Sequence, residues 1–522
     1  MTRLAPLAAA LALLFSYAPA VAGNGPSQTV RAITLSEAVK LSVTGNLETA
    51  ISRLNISTAD KELIFAEAEF DPTAGASVSA GKSRTPSSSA LASPPIVESD
   101  SMRGEISVSG KVPTGADYKA SIATSSSISN SDFQSLNPAY GASAQLDMTQ
   151  PLLKNAGTNA ALWKIRAGGI KREAVALSFK AAISDLVTNT VQTYWDLAFN
   201  KENVKAQEEA YERAVDIVRR TEAQVKAGAL PQIEITAAKA SAASWEEKAI
   251  AARNAYENAS DTLLKLLGSP GGALEWRGLI LDPVDTPQED RAQIDVEMAV
   301  QTAIANRPEV AAAKKEVERN RTEFAYYDNQ KLPELGLNAS VVLSGTRGDA
   351  RQTVGFNGEP VTSPLGGNAA DAAVDMASFN YYDYAVGLKF TYPWGSRGAE
   401  ARAALAGFAV QTAETRLKIA ERDAALEARE AGRSLTNSLK RIEAARAARK
   451  LGEERLDGEL KKFDVGATTL FATLEYQKDL AAQRAAELSA LAEARKASAR
   501  LSRAMGVALE KNGVELDVKD IR

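Results

Sequence analysis

The residue types that most often carry catalysis are missing from this chain. Its 522 residues include no histidine and no cysteine, so the commonest general base, the commonest metal ligand and the thiol nucleophile are absent. Structural disulfides are excluded for the same reason. No ATP-binding or dinucleotide-binding loop is present either. We therefore expect no catalytic, cofactor-binding or metal-binding residues, and we interpret the chain as a protein that is not an enzyme.

Four charged side chains remain as candidates for a functional role because of where they fall. Asp147 and Lys389 lie in segments whose side chains alternate between polar and apolar. Glu234 and Glu475 follow two similar glycine-containing turns, at residues 228–231 and 466–469. A carboxylate near a helix N-terminus is favoured by the helix dipole alone, so the two glutamates do not by themselves require a function.

The N-terminus has the features of an export signal. Arg3 supplies a positive start, residues 4–14 form an apolar run, and Ala20-Val21-Ala22 is a small-residue cleavage site. We therefore predict a signal peptide over residues 1–22 and a mature chain that leaves the cytoplasm. The charge balance, 61 basic against 65 acidic residues, argues against a nucleic-acid partner.

The chain repeats itself over a long period. The repetition divides it into a first copy, 23–292, and a second copy, 293–522. Three pairs of matching segments carry the repetition: residues 33–39 with 294–300, 146–151 with 388–393, and 225–229 with 463–467. Each copy reads as helix, strands, very long helix, tight turn, helix.

Helices dominate both copies. The predicted helical spans are 34–70, about 158–226 and about 232–267 in the first copy, and 295–332, about 399–462 and about 470–505 in the second. Thr34 and Glu37 have capping-box spacing, and Asp295 can cap the second copy. Only Gly168-Gly169 interrupts the first long helix, which at this length reaches roughly 100 Å and predicts a coiled-coil wall rather than a compact core.

The middle of each copy changes to a period of two. We expect strands within 73–150 and 336–393; along residues 384–392 the even-numbered side chains are apolar or aromatic and the odd-numbered ones small or polar. Such alternation fits a strand that crosses a bilayer with one lipid face and one wet lumen face. Asp147 and Lys389 would then face the lumen, since a charge on the lipid face is costly. A soluble sheet with one buried face has the same alternation, and both interpretations stay open.

Segments between the strands are rich in serine, proline and glycine. Residues 85–95 and 345–378 are predicted to be exposed, mobile loops. The first copy also contains an additional hairpin, with strands at 104–112 and 117–124 joined by a turn at 113–115, that the second copy lacks.

The whole mature chain resembles the TolC family of outer-membrane efflux and secretion channels. The resemblance rests on the duplicated Leu-x-x-Ala-Val start, which is Val-x-x-Ala-Val in the second copy, on the Leu-x-x-Thr-x-Pro strand ends and on the two Gly-Ala turns. It implies a mostly α fold with a membrane β-barrel part: a homotrimer in which each subunit gives four strands to a twelve-stranded β-barrel that continues into a long periplasmic α-helical barrel. It also implies that the partners are a periplasmic adaptor and an inner-membrane pump.

The resemblance gives the turn residues and the glutamates an implied location. Gly228, Pro231, Gly466 and Thr469 would lie at the periplasmic tip, while Glu234 and Glu475 would line a constricted entrance and favour cations there. Ala472 replaces an acid at the position that matches Glu234, so the ring of carboxylates would be partial.

The function implied by the resemblance is that of a passive exit duct in the outer membrane. It would serve a tripartite efflux pump or a type I secretion system, carrying solutes or polypeptide. The alternative is an exported coiled-coil scaffold or adhesin with a soluble β-sheet cap and no conduit. The additional hairpin departs from the four-strand plan.

Overall fold

The computed structural model describes residues 29–86, 94–268, 276, 278–286, 295–354 and 358–516. The predicted signal peptide lies outside the described residues. The first copy contains β1 (Thr29–Ile33), α1 (Leu35–Gly45), α2 (Leu47–Glu67), β2 (Thr73–Pro86), β3 (Ile96–Lys111), β4 (Asp117–Ser129), β5 (Leu136–Pro151), α3 (Gly157–Ala161), α4 (Trp163–Lys226), α5 (Ile233–Leu267) and β6 (Leu279–Pro283).

The second copy follows the same order with fewer long strands. It contains α6 (Val296–Asn306), α7 (Pro308–Asn329), β7 (Glu334–Ala350), β8 (Gln352–Val354), β9 (Pro360–Thr362), α8 (Ala369–Ala377), β10 (Tyr382–Thr391), α9 (Arg397–Asp464), α10 (Leu470–Ala504) and α11 (Ala508–Lys511). None of the helices in the described part of the chain is both long enough and apolar enough to cross a membrane.

Two long helical hairpins, α4 with α5 and α9 with α10, are the longest elements of the molecule, and α10 also packs against α4. The shorter helices α2 and α7 pack beside the strand-proximal halves of the long ones. Alanines at helical spacing fill the contacts of α9; the buried ones are Ala403, Ala406, Ala413, Ala424, Ala428 and Ala431. Small side chains on one stripe let neighbouring helices approach closely, which explains how such long helices stay associated.

The break in the first long helix lies at Leu162, not at Gly168-Gly169 as predicted. Both glycines lie inside α4. A Cβ atom on Gly168 would lie 3.3 Å from Leu63 Cδ1, so this glycine allows α2 to pack closely against α4. Leu162 has φ −95° and ψ 12° and separates α3 from α4.

The helix starts follow the predicted caps, with one difference. Thr34 accepts a hydrogen bond from the Glu37 backbone N–H at 3.2 Å, and Asp295 caps α6 in the same manner. The Glu37 carboxylate does not return to Thr34 but accepts from Arg31 at 2.7 Å. The predicted capping box is therefore only half formed, because a nearby arginine competes for its carboxylate.

The main apolar core lies where the short parallel pair β1 and β6 meets the middle of α4. Tyr194 is fully buried there, and its hydroxyl donates to Asp285 Oδ2 at 2.7 Å. Burial raises the pKa of Tyr194, and Asp285 raises it further. Since β1 precedes α1 and β6 follows α5, this cluster closes the first copy onto itself.

The segment 345–378 is more ordered than predicted. Strand β7 continues to Ala350, and α8 occupies residues that were expected to be a loop. The reason is a complete capping box: Asn368 accepts from the backbone of Asp371, whose carboxylate accepts from the Asn368 N–H. The alanine-rich stretch that follows favours helix. Residues 87–93, in the other predicted loop, lie outside the described residues.

One antiparallel sheet of six strands, in the order β10-β7-β5-β4-β3-β2, occupies the end of the molecule opposite the helical turns. The first copy supplies four of these strands and the second copy two. The expectation of four strands per subunit is therefore wrong for this chain. The physical reason is the additional hairpin, whose strands β3 and β4 are inserted between β2 and β5.

Candidate functional site

One face of the six-stranded sheet is apolar and is exposed except near Gly345, where α8 packs against it. A single row of paired residues crosses all six strands on this face: Ala76, Ile106, Ile122, Ala144, Leu343 and Tyr382. Large apolar side chains remain exposed on this face; they include Ile106, Val108, Ile122, Leu146, Val341, Tyr384, Val386, Leu388 and Phe390. An exposed apolar band this continuous is typical of a surface that contacts lipid or another protein.

Aromatic side chains lie at both ends of β10, next to this band. Tyr381, Tyr382 and Tyr384 stand at its start, and Tyr392 and Trp394 at its end, all exposed. The Tyr382 and Tyr384 rings stack with centroids 6.4 Å apart. Tyrosine and tryptophan at the two ends of an apolar band fit the two interfaces of a bilayer.

The other face of the sheet is polar and contains both strand residues that the sequence singled out. Asp147 lies opposite Lys119 and Ser340, and Gln145 Nε2 donates to its Oδ2 at 2.9 Å. Lys389 lies opposite Gly336. The structure does not bring Asp147 and Lys389 together, because β7 separates their strands. That this polar face lines a lumen stays a prediction.

At the far end of the helices, the two tight turns have the same backbone geometry. Gly228 has φ +76° and Gly466 has φ +72°. In the first turn the Ala229 N–H bonds the Gln224 carbonyl at 2.9 Å, and in the second the Ala467 N–H bonds the Lys462 carbonyl at 2.8 Å. A positive φ at this position with a bond back across the last turn is a Schellman C-cap, which glycine permits.

The residues that follow each turn start the returning helices differently. The Thr469 hydroxyl accepts from the Ala472 N–H at 3.3 Å and caps α10. The Pro231 carbonyl accepts from the Glu234 N–H at 3.1 Å, and α5 has no side-chain cap. Sequence reasoning therefore identified four tip residues that belong to two similar turns with different helix starts.

The ends of the two hairpins are held together near these turns. Ile217, Ala238, Phe463 and Leu470, one from each long helix, form a buried apolar cluster. We call this cluster with its polar contacts the tip contact. Across its surface Arg220 bonds Asp464 at 2.6 Å, and the hydrogen bonds that its guanidinium donates to Asp464 and Asp216 raise the pKa of the guanidinium.

The two candidate entrance glutamates lie in the first and second turns of their helices. Glu234 is half-buried and forms no ion pair with any described residue. Glu475 pairs with Lys478 on its own helix at 3.3 Å. Ala472 is also half-buried. Whether the two carboxylates line an entrance depends on where they lie relative to the same carboxylates in other subunits. That role stays a prediction.

Sequence reasoning missed a more buried carboxylate at the tip. Glu459 is buried and accepts hydrogen bonds from Thr468, across the turn, and from Lys462 at 3.3 Å. The Thr468 bond is the main cause that lowers the pKa of Glu459. The available signal was its place on the apolar stripe between Leu456 and Phe463, both buried.

A second missed cluster ties the copies together midway along the helices. Arg307 is buried and bonds Glu309 at 3.1 Å and Glu427 at 2.7 Å. Arg503 bonds the same Glu427 and also Asp185 on α4, both at 2.6 Å. Burial alone would raise the pKa of Glu309, but the hydrogen bond from Arg307, a backbone hydrogen bond and the charges of Arg307 and Arg503 together lower it.

Comparison with known proteins identifies the family of this chain, which joins a six-stranded sheet to long helical hairpins. A family model described as outer membrane efflux protein matches residues 45–269 and 299–507, one segment in each copy. A search of curated proteins finds no match.

Solved structures share the fold at low sequence identity. The CmeC outer membrane channel of Campylobacter jejuni has a TM-score of 0.64 at 16% identity, over 93% of this chain and 90% of that one. The outer membrane protein VceC of Vibrio cholerae has a TM-score of 0.61 at 16% identity, over 90% and 96%. The open-state MtrE outer membrane channel of Neisseria gonorrhoeae has a TM-score of 0.56 at 15% identity, over 91% and 89%. The predicted TolC-like duplicated fold is confirmed.

Proposed function

We propose that this chain, which belongs to the outer membrane efflux protein family, is the passive exit duct of a tripartite efflux pump. Family membership puts the protein in the outer membrane, as predicted, and it is not an enzyme. The family concerns efflux, so we favour an efflux pump over type I secretion.

The observation that supports the proposal most strongly is that one chain contains both a sheet with an apolar and a polar face and two very long helices. At one end the sheet has an exposed apolar face and a polar face; at the other, α4 and α9 extend as helices of 64 and 68 residues. At 1.5 Å per residue these helices are roughly 95–100 Å long. A sheet that contacts lipid and continues into helices of this length suits a duct that crosses the outer membrane and most of the periplasm.

We infer a homotrimer as the assembled form. In a single subunit β2 and β10 are edge strands, and a sheet with unpaired edges is not tolerated in the hydrocarbon of a bilayer. Pairing of the β10 edge of one subunit with the β2 edge of the next would satisfy the free backbone N–H and C=O groups of both strands. It would also shield the lumen from lipid and place Asp147 and Lys389 on the lumen wall. Outer-membrane lipid would contact the opposite face.

The tip contact would be the closed position of the periplasmic end. No described residue offers chemistry that could drive transport, so a periplasmic adaptor and an inner-membrane pump would supply the energy. Adaptor docking on the helical hairpins would separate the hairpins at Arg220 and Asp464 and open the tip. Glu234 and Glu475 would then lie near the entrance and favour cations.

Deletion of the gene in its native cell tests the proposal. We expect the deleted cells to accumulate efflux dyes and to recover when the chain is restored, and we expect an adaptor to co-purify with it. Unchanged dye accumulation together with loss of a polypeptide from the medium would contradict the efflux assignment in favour of type I secretion. A protein recovered in the soluble fraction would contradict the duct and favour a coiled-coil scaffold or adhesin.

A further inference from the structure

The hairpin formed by β3 and β4 is an integral part of the sheet. Strand β3 pairs with β2 along the whole of Thr73–Pro86, and β4 pairs with β5 from Asp117 to Ser127. Both hairpin strands therefore have a neighbour on each side. A hairpin appended to the rim of a sheet would leave one strand unpaired.

The hairpin also continues both faces of the sheet. Ile106 and Ile122 stand opposite each other in the apolar row and are exposed by 67% and 62%. On the polar face the row Ser107, Ser121, Gln145 crosses β3, β4 and β5. Two strands that alternate in phase with their neighbours fit the same lipid and water boundary as the rest of the sheet.

The turn of the hairpin is fastened to the base of the sheet where the helices begin. The Thr114 hydroxyl donates to Gln150 Oε1 at 2.9 Å, and Gln150 Nε2 donates to the Thr114 carbonyl at 3.1 Å. Lys111 pairs at 2.8 Å with Glu69, which also pairs with Lys164 of α4 at 2.8 Å. Gly115 has φ +91° and a Cβ there would lie 2.5 Å from the Asn155 carbonyl oxygen, so the approach is close.

The two edges of the sheet run in opposite directions. Strand β2 begins at the helical end, just after α2, and β10 finishes there, just before α9. The β10 edge of one subunit can therefore pair antiparallel with the β2 edge of the next subunit. This pairing continues the alternating strand directions of the sheet around a ring.

We propose that the β3–β4 hairpin widens the membrane barrel, an inference that rests on the proposed homotrimer. Three subunits with six strands each would close a barrel of eighteen strands rather than twelve. Barrel diameter grows roughly linearly with strand number, so at equal tilt the barrel is about 1.5 times as wide as one of twelve strands. Barrels of 16–18 strands leave an open aqueous channel. The membrane part would then restrict the size of what passes less than a barrel of twelve strands does.

Paired cysteines in the full chain test the place of the hairpin, and the native chain contributes no cysteine of its own. Ser121 and Gln145 are direct partners across β4 and β5, within disulfide range. Ala76 and Ala144 lie in one row but three strand spacings apart, about 14 Å. We expect S121C/Q145C to cross-link in outer membranes and A76C/A144C not to. The reverse pattern would mean that β2 pairs with β5 and that the hairpin lies outside the barrel, which would overturn the proposal.

Electron cryo-microscopy of the purified trimer in lipid nanodiscs counts the strands directly. Eighteen strands support the proposal, and twelve overturn it. Conductance of the same preparation separates the two levels of the argument. A conducting trimer with twelve strands would contradict only the hairpin inference, whereas a soluble protein that does not conduct would contradict the proposed duct as well.

Discussion

Charge reversal at Arg220 tests the tip contact as a closed position. In the structure Arg220 on α4 bonds Asp464 at the end of α9 at 2.6 Å and Asp216 at 2.9 Å. The substitution Arg220→Glu removes the only described ion pair between the two hairpins at the tip and sets a third carboxylate beside the other two. We expect the closed tip to be destabilised relative to the open one.

The size of the effect follows from the exposure of the pair. Arg220 and Asp464 are 38% and 45% exposed, and exposed pairs contribute about 0.2–1 kcal/mol. Replacing attraction with repulsion of similar size costs about 1 kcal/mol per chain. Three chains that open together give about 3 kcal/mol, on the order of a hundredfold in the closed-to-open equilibrium.

Single-channel recording in planar bilayers measures this shift. The matched control is Lys461→Glu, which makes the same charge change three residues before Asp464 but breaks only a pair with Asp457 within α9. We expect Arg220→Glu to raise the mean conductance strongly, Lys461→Glu to leave it near that of the native protein, and Arg220→Asp combined with Asp464→Arg to restore part of the closure. Equal conductance of the two single variants would refute the reasoning.

Three further predictions concern the turns, the lipid face and the midway cluster. Gly466→Ala should lower stability by about 1–2 kcal/mol because of its positive φ, while Gly458→Ala in open space within α9 should stabilise by about 0.5–1 kcal/mol; thermal unfolding measures both, and equal shifts would contradict the turn geometry. Val386→Arg on the apolar face should cost about 2–4 kcal/mol and reduce assembled protein in outer membranes, whereas Gly387→Arg on the polar face should assemble normally; the opposite ranking would mean that the faces are reversed. Because the folded pKa of Glu309 lies below its ordinary value of 4.5, its contribution to stability is complete above that value and is lost as the pH falls through the lowered pKa; Glu309→Gln should flatten the acid limb of unfolding, and an unchanged limb would count against the cluster.

The sequence was sufficient to predict the repeat architecture because long periodic segments dominate the chain. The turns at Gly228 and Gly466 were also readable, since only a residue free to adopt positive φ ends a helix in this way. The alternation around Lys389 placed it on the polar face of β10. Each of these features depends on local backbone preference or on spacing within one element, which the sequence records directly.

The parts that the sequence did not predict depend on contacts between distant segments. Gly168 looks like a helix breaker until α2 is packed against it. The six-strand sheet depends on β3 and β4 finding partners on both sides, which a candidate hairpin does not reveal. The buried charges of Glu459 and the Arg307 cluster are stable only because the folded structure brings partners to them. In the sequence, the one available signal was a charged residue on an apolar helical stripe.

The most direct test of the central claim, that this chain forms a duct through the outer membrane, is conductance of the detergent-extracted protein in planar lipid bilayers. The duct predicts discrete conductance steps from a trimer recovered in the outer-membrane fraction, with steps that grow when the tip contact is broken. Absence of steps from a trimer carrying Arg220→Glu would contradict the claim.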